Sequence, residues 1–183
     1  MNKSKEILKL IALCIVLLAV SCVQSPRTEN KSEKIMTIEI NKAGEEEKIR
    51  QQMDDFVKAF STKDVNLMMS LFSPELVSFD IIPPLQYVGR DAYRKVWKET
   101  FALFTDPIGI EIRNLKVTSN EDVAFSYCFL RLNAKMMNGE KIDYWERLTC
   151  CFQKIDNKWL IVHEHVSLPA DLKSGKAVMN LKP

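Results

Sequence analysis

Excess charge of either sign is almost absent from this sequence, since 26 Lys and Arg residues stand against 24 Asp and Glu residues in 183 positions. A nucleic-acid-binding domain usually carries a basic stripe or has a pI above about 9. We therefore expect no nucleic-acid partner. Charged residues at 27% and hydrophobic residues at 46% are ordinary globular values, which exclude a disordered chain, a collagen and a polytopic membrane protein.

Cysteine and histidine are too few, and wrongly spaced, for a metal site or a disulfide framework. Three of the five cysteines fall within the body of the chain, an odd number without a Cys-x-x-Cys pair. We expect these three, Cys128, Cys150 and Cys151, to be small buried residues of strands. The two histidines, His163 and His165, share one strand face but are fewer than the three ligands of a catalytic zinc site. We expect neither a metal nor a cofactor.

A long hydrophobic run is also lacking, apart from one at the N-terminus. A basic start is followed by the apolar run from Ile7 to Val20 and then by Ser21-Cys22. The run is too short for a bilayer span, which needs about 20 apolar residues, and its order is typical of a secretory signal over residues 1–21.

Residues 18–22, Leu-Ala-Val-Ser-Cys, resemble a bacterial lipobox, which implies a lipid on Cys22. The alternative is ordinary cleavage after Ser21, which leaves Cys22 unmodified. Each buried CH₂ of a lipid chain adds roughly 0.8 kcal/mol of membrane affinity, so several chains would form a stable anchor. We therefore predict a bacterial envelope protein that is attached to the membrane through lipid on Cys22.

The rest of the chain divides by composition into three parts. Residues 22–44 are polar and weakly periodic, which is typical of a tether. The folded domain is predicted at 45–169, and residues 170–183 are expected to be a loose tail. No internal repeat or low-complexity segment interrupts the domain.

Periodicity predicts helices first and strands afterwards. Apolar residues at helical spacing predict one helix over 45–61, Asp64 is a plausible N-cap for a second, and Gly89 begins a third. A short strand ends at Asp80, and from Ile108 onward the apolar period drops to two. The fold class is α+β, with three N-terminal helices packed on a curved antiparallel sheet.

Two turns predict the register of that sheet. Asn138-Gly139 is a strong signal for a two-residue hairpin loop, and Asp156-Asn157 is a weaker one. The predicted pairs are Lys135–Ile142, Arg131–Glu146 and Cys128–Thr149 across the first turn, and Gln153–Leu160, Cys151–Val162 and Thr149–Glu164 across the second.

This register assigns the side chains to two faces. The face predicted to lie under the helices holds Cys128, Leu130, Leu132, Trp145, Arg147, Thr149, Cys151, Leu160, Val162, Glu164 and Val166. The other holds Phe125, Tyr127, Phe129, Arg131, Glu146, Leu148, Cys150, Phe152, Trp159, Ile161, His163 and His165. Both are too apolar for water, and the helices can cover only one, so we predict a homodimer through the outer face that includes His163 and His165.

The order of elements and two segments resemble a known superfamily. The segments are Asp64 to Trp97, with Leu-Phe-x-Pro-Glu, Phe-Asp and Gly-Arg-Asp, and the ending from Asn157 to Ser167. They look like the SnoaL-like branch of the nuclear transport factor 2 (NTF2) fold. The resemblance implies a cone-shaped α+β barrel over about 125 residues and leaves the activity open, because this fold carries enzymes, pseudoenzymes and assembly modules.

The ketosteroid isomerases of that superfamily imply one catalytic candidate. Their general base matches Asp80, whereas their two oxyanion donors align with Phe56 and Thr149. A phenylalanine donates no hydrogen bond, and the loss of one such donor typically costs ~10²–10³ in rate. The resemblance therefore argues against steroid isomerisation but keeps Asp80 as a possible base.

By the predicted register, Arg147 lies near Glu164 and Asp80, which would suit a polar ligand head or an activated water. Structural roles would explain the same three residues equally well: an ion pair between Arg147 and Glu164, and a turn cap at Asp80. The predicted pocket residues are Phe56, Tyr87, Trp97, Trp145, Arg147, Thr149, Glu164 and Val166. Three functions stay open: an envelope-anchored binder of a small, partly apolar molecule, a hydrolase, cyclase or isomerase that uses Asp80, and a non-catalytic dimerisation module.

Overall fold

The computed structural model of the protein describes residues 31–183. The predicted signal segment and the predicted lipidation site at Cys22 lie outside these residues. The chain divides into two units, Met1–Thr37 and Ile38–Pro183, and the second contains the sheet and the site. The helices are α1 (Lys31–Ser61), α2 (Val65–Ser70) and α3 (Arg90–Ala102). No helix within residues 31–183 is long and apolar enough to cross a membrane.

Six strands follow or separate the helices. They are β1 (Phe72–Phe79), β2 (Tyr87–Val88), β3 (Phe104–Asn120), β4 (Val123–Met136), β5 (Lys141–Ile155) and β6 (Lys158–Ser167). They form one sheet in the order β2-β1-β6-β5-β4-β3, in which β1 runs parallel to β6 and the other neighbours are antiparallel. The α+β prediction is confirmed, with helices followed by a curved sheet.

Secondary structure is also present on both sides of the predicted domain, residues 45–169. Residues 31–44, expected to be a tether, are helical and continue directly into the predicted first helix. Residues 170–178, expected to be loose, form a turn in which Asp171 accepts hydrogen bonds from two backbone N–H groups and Ala170 pairs with Ala177. The second helix begins as predicted, because Asp64 Oδ1 caps it by accepting from the N–H groups of Asn66 and Leu67 at 2.9 Å.

The hairpin between β4 and β5 differs from its predicted register by one residue. The loop spans residues 137–139, three rather than two, because Met136 N–H bonds to Glu140 O at 2.7 Å. Gly139 has a positive φ of +90°, as the glycine of a three-residue hairpin loop commonly does. Arg131 therefore lies opposite Trp145 rather than Glu146. Since alternate residues of a strand point to opposite faces, this slip moves every β5 side chain to the other face.

The second hairpin keeps its predicted turn but contains a bulge. Gln153 lies opposite Leu160 as predicted, whereas Cys151 lies opposite His163 and not Val162. Val162 is the extra residue, and beyond it the alternation of β6 changes by one position. Glu164 thus lies on the inner face, as predicted. Its predicted partner, Thr149, lies on the outer face, and Cys150 is opposite Glu164 instead.

The core lies between the helices and the inner face of the sheet. Several residues predicted for the outer face lie on this inner face, because the observed register differs from the predicted one. The reassigned inner residues are Glu146, Leu148, Cys150, Phe152, Trp159 and Ile161. The outer face carries exposed aromatic residues at Phe125 and Tyr127. Of the three predicted strand cysteines, Cys128 and Cys150 are buried and Cys151 is half-buried.

Candidate functional site

A cavity of about 160 Å³ lies between α1, α3 and the inner face of the sheet. A closed apolar cavity of about 150 Å³ can hold benzene, so this space suits a molecule with a six-membered ring. The walls of this central cavity are formed by Phe56, Phe60, Asp80, Ile81, Ile82, Tyr93, Val96, Trp97, Thr100, Leu103, Phe104, Leu130, Leu132, Tyr144, Glu146, Leu148, Glu164 and Val166.

Three acidic residues enter this otherwise apolar space from three different elements. Asp80 follows the end of β1, Glu146 projects from β5 and Glu164 from β6. Asp80 is half-buried, and the exposed Ile82 beside it also lines the wall, so the cavity reaches the surface at this segment. The acidic groups thus extend from the opening at Asp80 to the fully buried Glu164, which is 1% exposed.

Glu164 is held by two hydroxyl groups. Its Oε1 accepts a hydrogen bond from Ser78 Oγ at 2.8 Å and a short one from the Tyr93 hydroxyl. Parallel pairing of β1 with β6 sets Ser78 directly beside Glu164. Burial raises the pKa of Glu164 to about 7, although both hydrogen bonds act in the opposite direction. A proton therefore resides on this carboxyl in part of the molecules at neutral pH.

Tyr93 joins two of the acidic residues. Its hydroxyl contacts Glu164 and also lies 2.9 Å from Asp80 Oδ2. Burial and the two neighbouring carboxyl groups raise the pKa of Tyr93 well above its ordinary value, so the phenol keeps its proton. A phenol has one proton to donate, so the second contact needs a proton on a carboxyl group. The three side chains therefore share protons at the edge of the cavity.

Glu146 borders the cavity without a protein partner. Among residues 31–183, no group donates a hydrogen bond to its carboxyl or accepts one from it, and part of its side chain stays accessible where it lines the cavity. Burial, and to a smaller extent the neighbouring Asp80 and Glu164, raise the pKa of Glu146 to about 8. At neutral pH this group is mostly a neutral acid that can donate a hydrogen bond or a proton to a bound molecule.

Aromatic rings form much of the remaining wall. Trp97 on α3 packs edge-on against Phe56 and Phe60 of α1, with ring centroids 6.0 and 5.0 Å apart. The indole N–H of Trp97 has no hydrogen-bond partner among residues 31–183. Tyr93 lies 5.9 Å from Trp97 on the same helix. These contacts fix the positions of rings that a ligand would touch.

The structure brings together five of the residues predicted for the site. Phe56, Asp80, Trp97, Glu164 and Val166 all line the central cavity. Their distribution over helix, loop and strand follows from the fold, since β1, β6 and the two longer helices converge on one space. Whether they bind a molecule stays a prediction.

Four predicted residues lie elsewhere. Arg147 is exposed on the outer face, where it cannot reach Glu164, so the proposed ion pair was wrong. Trp145 lies on the same face, with the Arg113 guanidinium 4.7 Å from its ring centroid. Thr149 lies there too, opposite His165. All three follow from the one-residue slip of the hairpin. Tyr87 packs on Tyr93 at 5.5 Å but does not line the cavity.

Two residues that sequence reasoning missed are central to the site. Glu146 had been assigned to the outer face, and the signal that would have found it is an acidic residue in phase with the apolar Tyr144 and Leu148. Tyr93 had been treated as part of an apolar helical stripe. Its position in phase with Trp97 and its polar hydroxyl made it a candidate partner for an inner-face carboxyl.

The His163-Glu164-His165 triplet does not act as one unit. His163 Nδ1 hydrogen-bonds the backbone oxygen of Val77 at 2.8 Å, and Phe79 contacts the rings of both histidines at 4.8 and 5.9 Å. Glu164 points to the opposite face. Within residues 31–183, no group of three or more His, Cys, Asp or Glu side chains is arranged to hold a metal ion.

Comparisons with known proteins agree with this architecture. The family model of the SnoaL-like domain matches residues 49–171. An NTF2-like protein of unknown function from Pseudomonas putida KT2440 is 28% identical, with 77% of this chain and 98% of that chain covered and a TM-score of 0.71. An NTF2-like superfamily protein from Salmonella enterica serovar Typhimurium is 21% identical, with 73% and 96% covered and a TM-score of 0.63. A ketosteroid isomerase-like protein from Erwinia carotovora atroseptica is 18% identical, with 67% and 95% covered and a TM-score of 0.59. No curated protein matches the chain.

Proposed function

Because the chain belongs to the SnoaL-like domain family, we propose that it binds a small, largely apolar molecule in the central cavity. The observation that carries the proposal is the cavity itself, a space of about 160 Å³ with aromatic and aliphatic walls and a few convergent polar groups. Such a combination is the usual character of a ligand site. The wall has no Lys, Arg or His among residues 31–183 to offset the charge of an anion in this poorly solvated space, so its acidic groups, Asp80, Glu146 and Glu164, disfavour a negatively charged ligand.

Filling the cavity should abolish binding. The Val166→Phe substitution places a ring in the space where a ligand would lie, whereas Arg147→Ala changes the outer face only. Benzyl alcohol is a suitable probe, because a six-membered ring fits the volume. We expect it to raise the melting temperature of the wild type and of Arg147→Ala, and to leave Val166→Phe unchanged, as measured by differential scanning fluorimetry. Equal stabilisation of all three proteins would refute the proposal.

A second function, acid–base catalysis, is favoured by the different surroundings of Asp80 and Glu146. Asp80 lies at the opening and accepts hydrogen bonds from Tyr93 and from Ile82 N–H, which suits a carboxylate. Glu146 carries a proton at neutral pH, because its pKa is about 8. A carboxyl group that accepts hydrogen bonds and one that can donate a proton, both on the wall of one cavity, are placed to act as general base and general acid. One of the similar structures bears the name of a ketosteroid isomerase-like protein.

In the simplest reaction of this kind, Asp80 takes a proton from the carbon next to a carbonyl group. The electron pair of the broken C–H bond forms a C=C bond, and the carbonyl electrons move to the oxygen, which receives a hydrogen bond from Glu146. Reversal returns a solvent-derived proton to carbon. Neither Phe56 nor Thr149 is needed as a donor in this scheme, so the sequence argument against steroid isomerisation does not apply to it.

Deuterium exchange measures this chemistry without knowledge of the natural substrate. The protein should accelerate incorporation of deuterium from D₂O into cyclohexanone, followed by mass spectrometry. Asp80→Asn should lower the catalysed rate by about 10²–10³-fold, within the usual contribution of a general base. Arg147→Ala should leave it unchanged. Wild-type exchange no faster than the buffer alone would rule out this second function, while binding would be unaffected.

The proposed setting of the domain is the bacterial envelope, with lipid on Cys22 as the anchor and a homodimer as the assembly. Exposed Phe125 and Tyr127 on the outer face support dimerisation. A dimer formed through the outer face needs no ligand, so a purely structural dimerisation module is the alternative function. Mass spectrometry of the mature N-terminus tests the lipid, and sedimentation velocity of Tyr127→Glu against the wild type tests the dimer.

A further inference from the structure

We propose that the central cavity is selective for a small organic cation, an ammonium group on an apolar body. This inference rests on the proposed binding function and adds the charge of the ligand to it. It is argued from three features of the wall: its one-sided charge, its aromatic rings and the unpartnered carboxyl of Glu146.

The wall contains acidic groups but no basic one. Asp80, Glu146 and Glu164 line it, whereas no Lys, Arg or His among residues 31–183 does so. The one arginine predicted for the pocket, Arg147, lies on the outer face. Burial disfavours ionisation of these carboxyl groups unless a positive charge or hydrogen bonds stabilise the carboxylate. The protein supplies no such charge here, so a ligand that brings one gains an interaction that a neutral ligand lacks.

The aromatic rings suit the same kind of ligand. Phe56, Tyr93, Trp97 and Tyr144 all border the cavity. The face of an aromatic ring attracts a cation, by about 0.5–1 kcal/mol where solvent is near and about 2 kcal/mol where it is excluded. Aromatic walls beside carboxylates therefore match both the charge and the hydrocarbon body of an organic ammonium compound.

Glu146 marks where the charged group would lie. Within residues 31–183 its carboxyl has no hydrogen-bond partner, in contrast to Glu164, which is bonded to Ser78 and Tyr93. An ammonium N–H can donate to the Glu146 oxygens, and the carboxyl then releases its proton to solvent. The ion pair so formed lies in a space of low polarity, where a charge-assisted hydrogen bond is strong.

Three probes of the same size separate charge from shape. Benzylammonium, benzyl alcohol and benzoate share a benzene ring and are titrated into the full-length protein at pH 7 by calorimetry. We expect benzylammonium to bind about tenfold or more tightly than benzyl alcohol, which one good ionic contact suffices to produce. Benzoate should not bind.

The matched variants assign the preference to Glu146. Glu146→Gln keeps the shape but cannot ionise, so benzylammonium should lose its advantage while benzyl alcohol binds as before. Arg147→Ala should behave as the wild type. Benzyl alcohol binding as tightly as benzylammonium to the wild type would overturn the charge selectivity and leave the proposed binding function intact. If none of the three probes binds, both proposals fail.

Discussion

Between pH 5 and pH 8 the free energy of unfolding is expected to fall, by roughly 3 kcal/mol or more. Many proteins hold most of their stability over this interval, because their carboxyl groups are ionised and paired. Here two buried carboxyl groups behave in the opposite way. The pKa of Glu146 is about 8 and that of Glu164 about 7, against 4.5 for an exposed glutamate.

The direction follows from proton binding. Above pH 4.5 the folded protein keeps a proton on Glu164 up to about pH 7 and on Glu146 up to about pH 8, whereas the unfolded chain has released both. A rise in pH therefore favours the unfolded chain, with each group contributing up to about 1.4 kcal/mol per pH unit. Glu45 acts at lower pH, because its hydrogen bond with Lys154 lowers its pKa to about 2. Its contribution is complete above pH 4.5 and is lost as the pH falls towards 2. Stability should therefore be highest near pH 5.

Urea denaturation at half-unit intervals from pH 4 to pH 9 measures this dependence. Glu146→Gln should flatten the upper part of the curve, since Glu164 is then the one remaining buried carboxyl group with a raised pKa among residues 31–183. The outer-face variant Arg147→Ala should follow the wild type. A free energy of unfolding that is constant or rises from pH 5 to pH 8 would show that the two carboxyl groups are not buried as described.

Replacement of Glu164 by alanine is expected to destabilise the protein by about 3–5 kcal/mol at pH 5.5. The substitution leaves the Ser78 hydroxyl without an acceptor in a buried site, which costs about 1–3 kcal/mol. It removes one of the two acceptors of the Tyr93 hydroxyl, which keeps Asp80. It also opens space in a packed interior. Glu164→Gln keeps an acceptor oxygen and should lose much less.

Equilibrium unfolding in urea at pH 5.5 compares the two variants. If Glu164→Ala does not fold, Tyr93→Phe provides an independent measurement, since it removes one donor and keeps the ring. This variant should cost about 1–2 kcal/mol, the value of a hydrogen bond to a strongly polar group. Equal stability of Glu164→Ala and the wild type would contradict the hydrogen-bonded arrangement of Glu164.

The order of helices and strands could be predicted because each element carries its own period. Asp64 was recognisable as a cap from the residue type and its place before an apolar segment. The helix over 31–44 was not recognisable, because it buries no face: all its side chains are exposed, including the apolar Ile35, Met36, Ile38 and Ile40. Helix formation there depends on continuation from the packed residues after Ile49 rather than on a pattern of its own.

The site was predictable only where it did not depend on exact register. Asp80 and Phe56 could be located because they lie near the ends of elements with clear boundaries. On β5, by contrast, both faces are rich in apolar residues, so composition could not show which alternate set is buried. A loop one residue longer than expected then exchanged Arg147 for Glu146, so a predicted pocket with one arginine beside two carboxyl groups became a wholly acidic one.

Because of the bulge at Val162, the residues of β6 that point inward have odd numbers before Val162 and even numbers after it. Trp159 and Ile161, at odd positions, serve the core, whereas Glu164 and Val166, at even positions, serve the cavity. If Val162 instead paired regularly with Cys151, His163 would lie opposite Cys150 and take the inward place of the carboxyl. One residue without a pairing partner thus separates an acidic interior from a basic one.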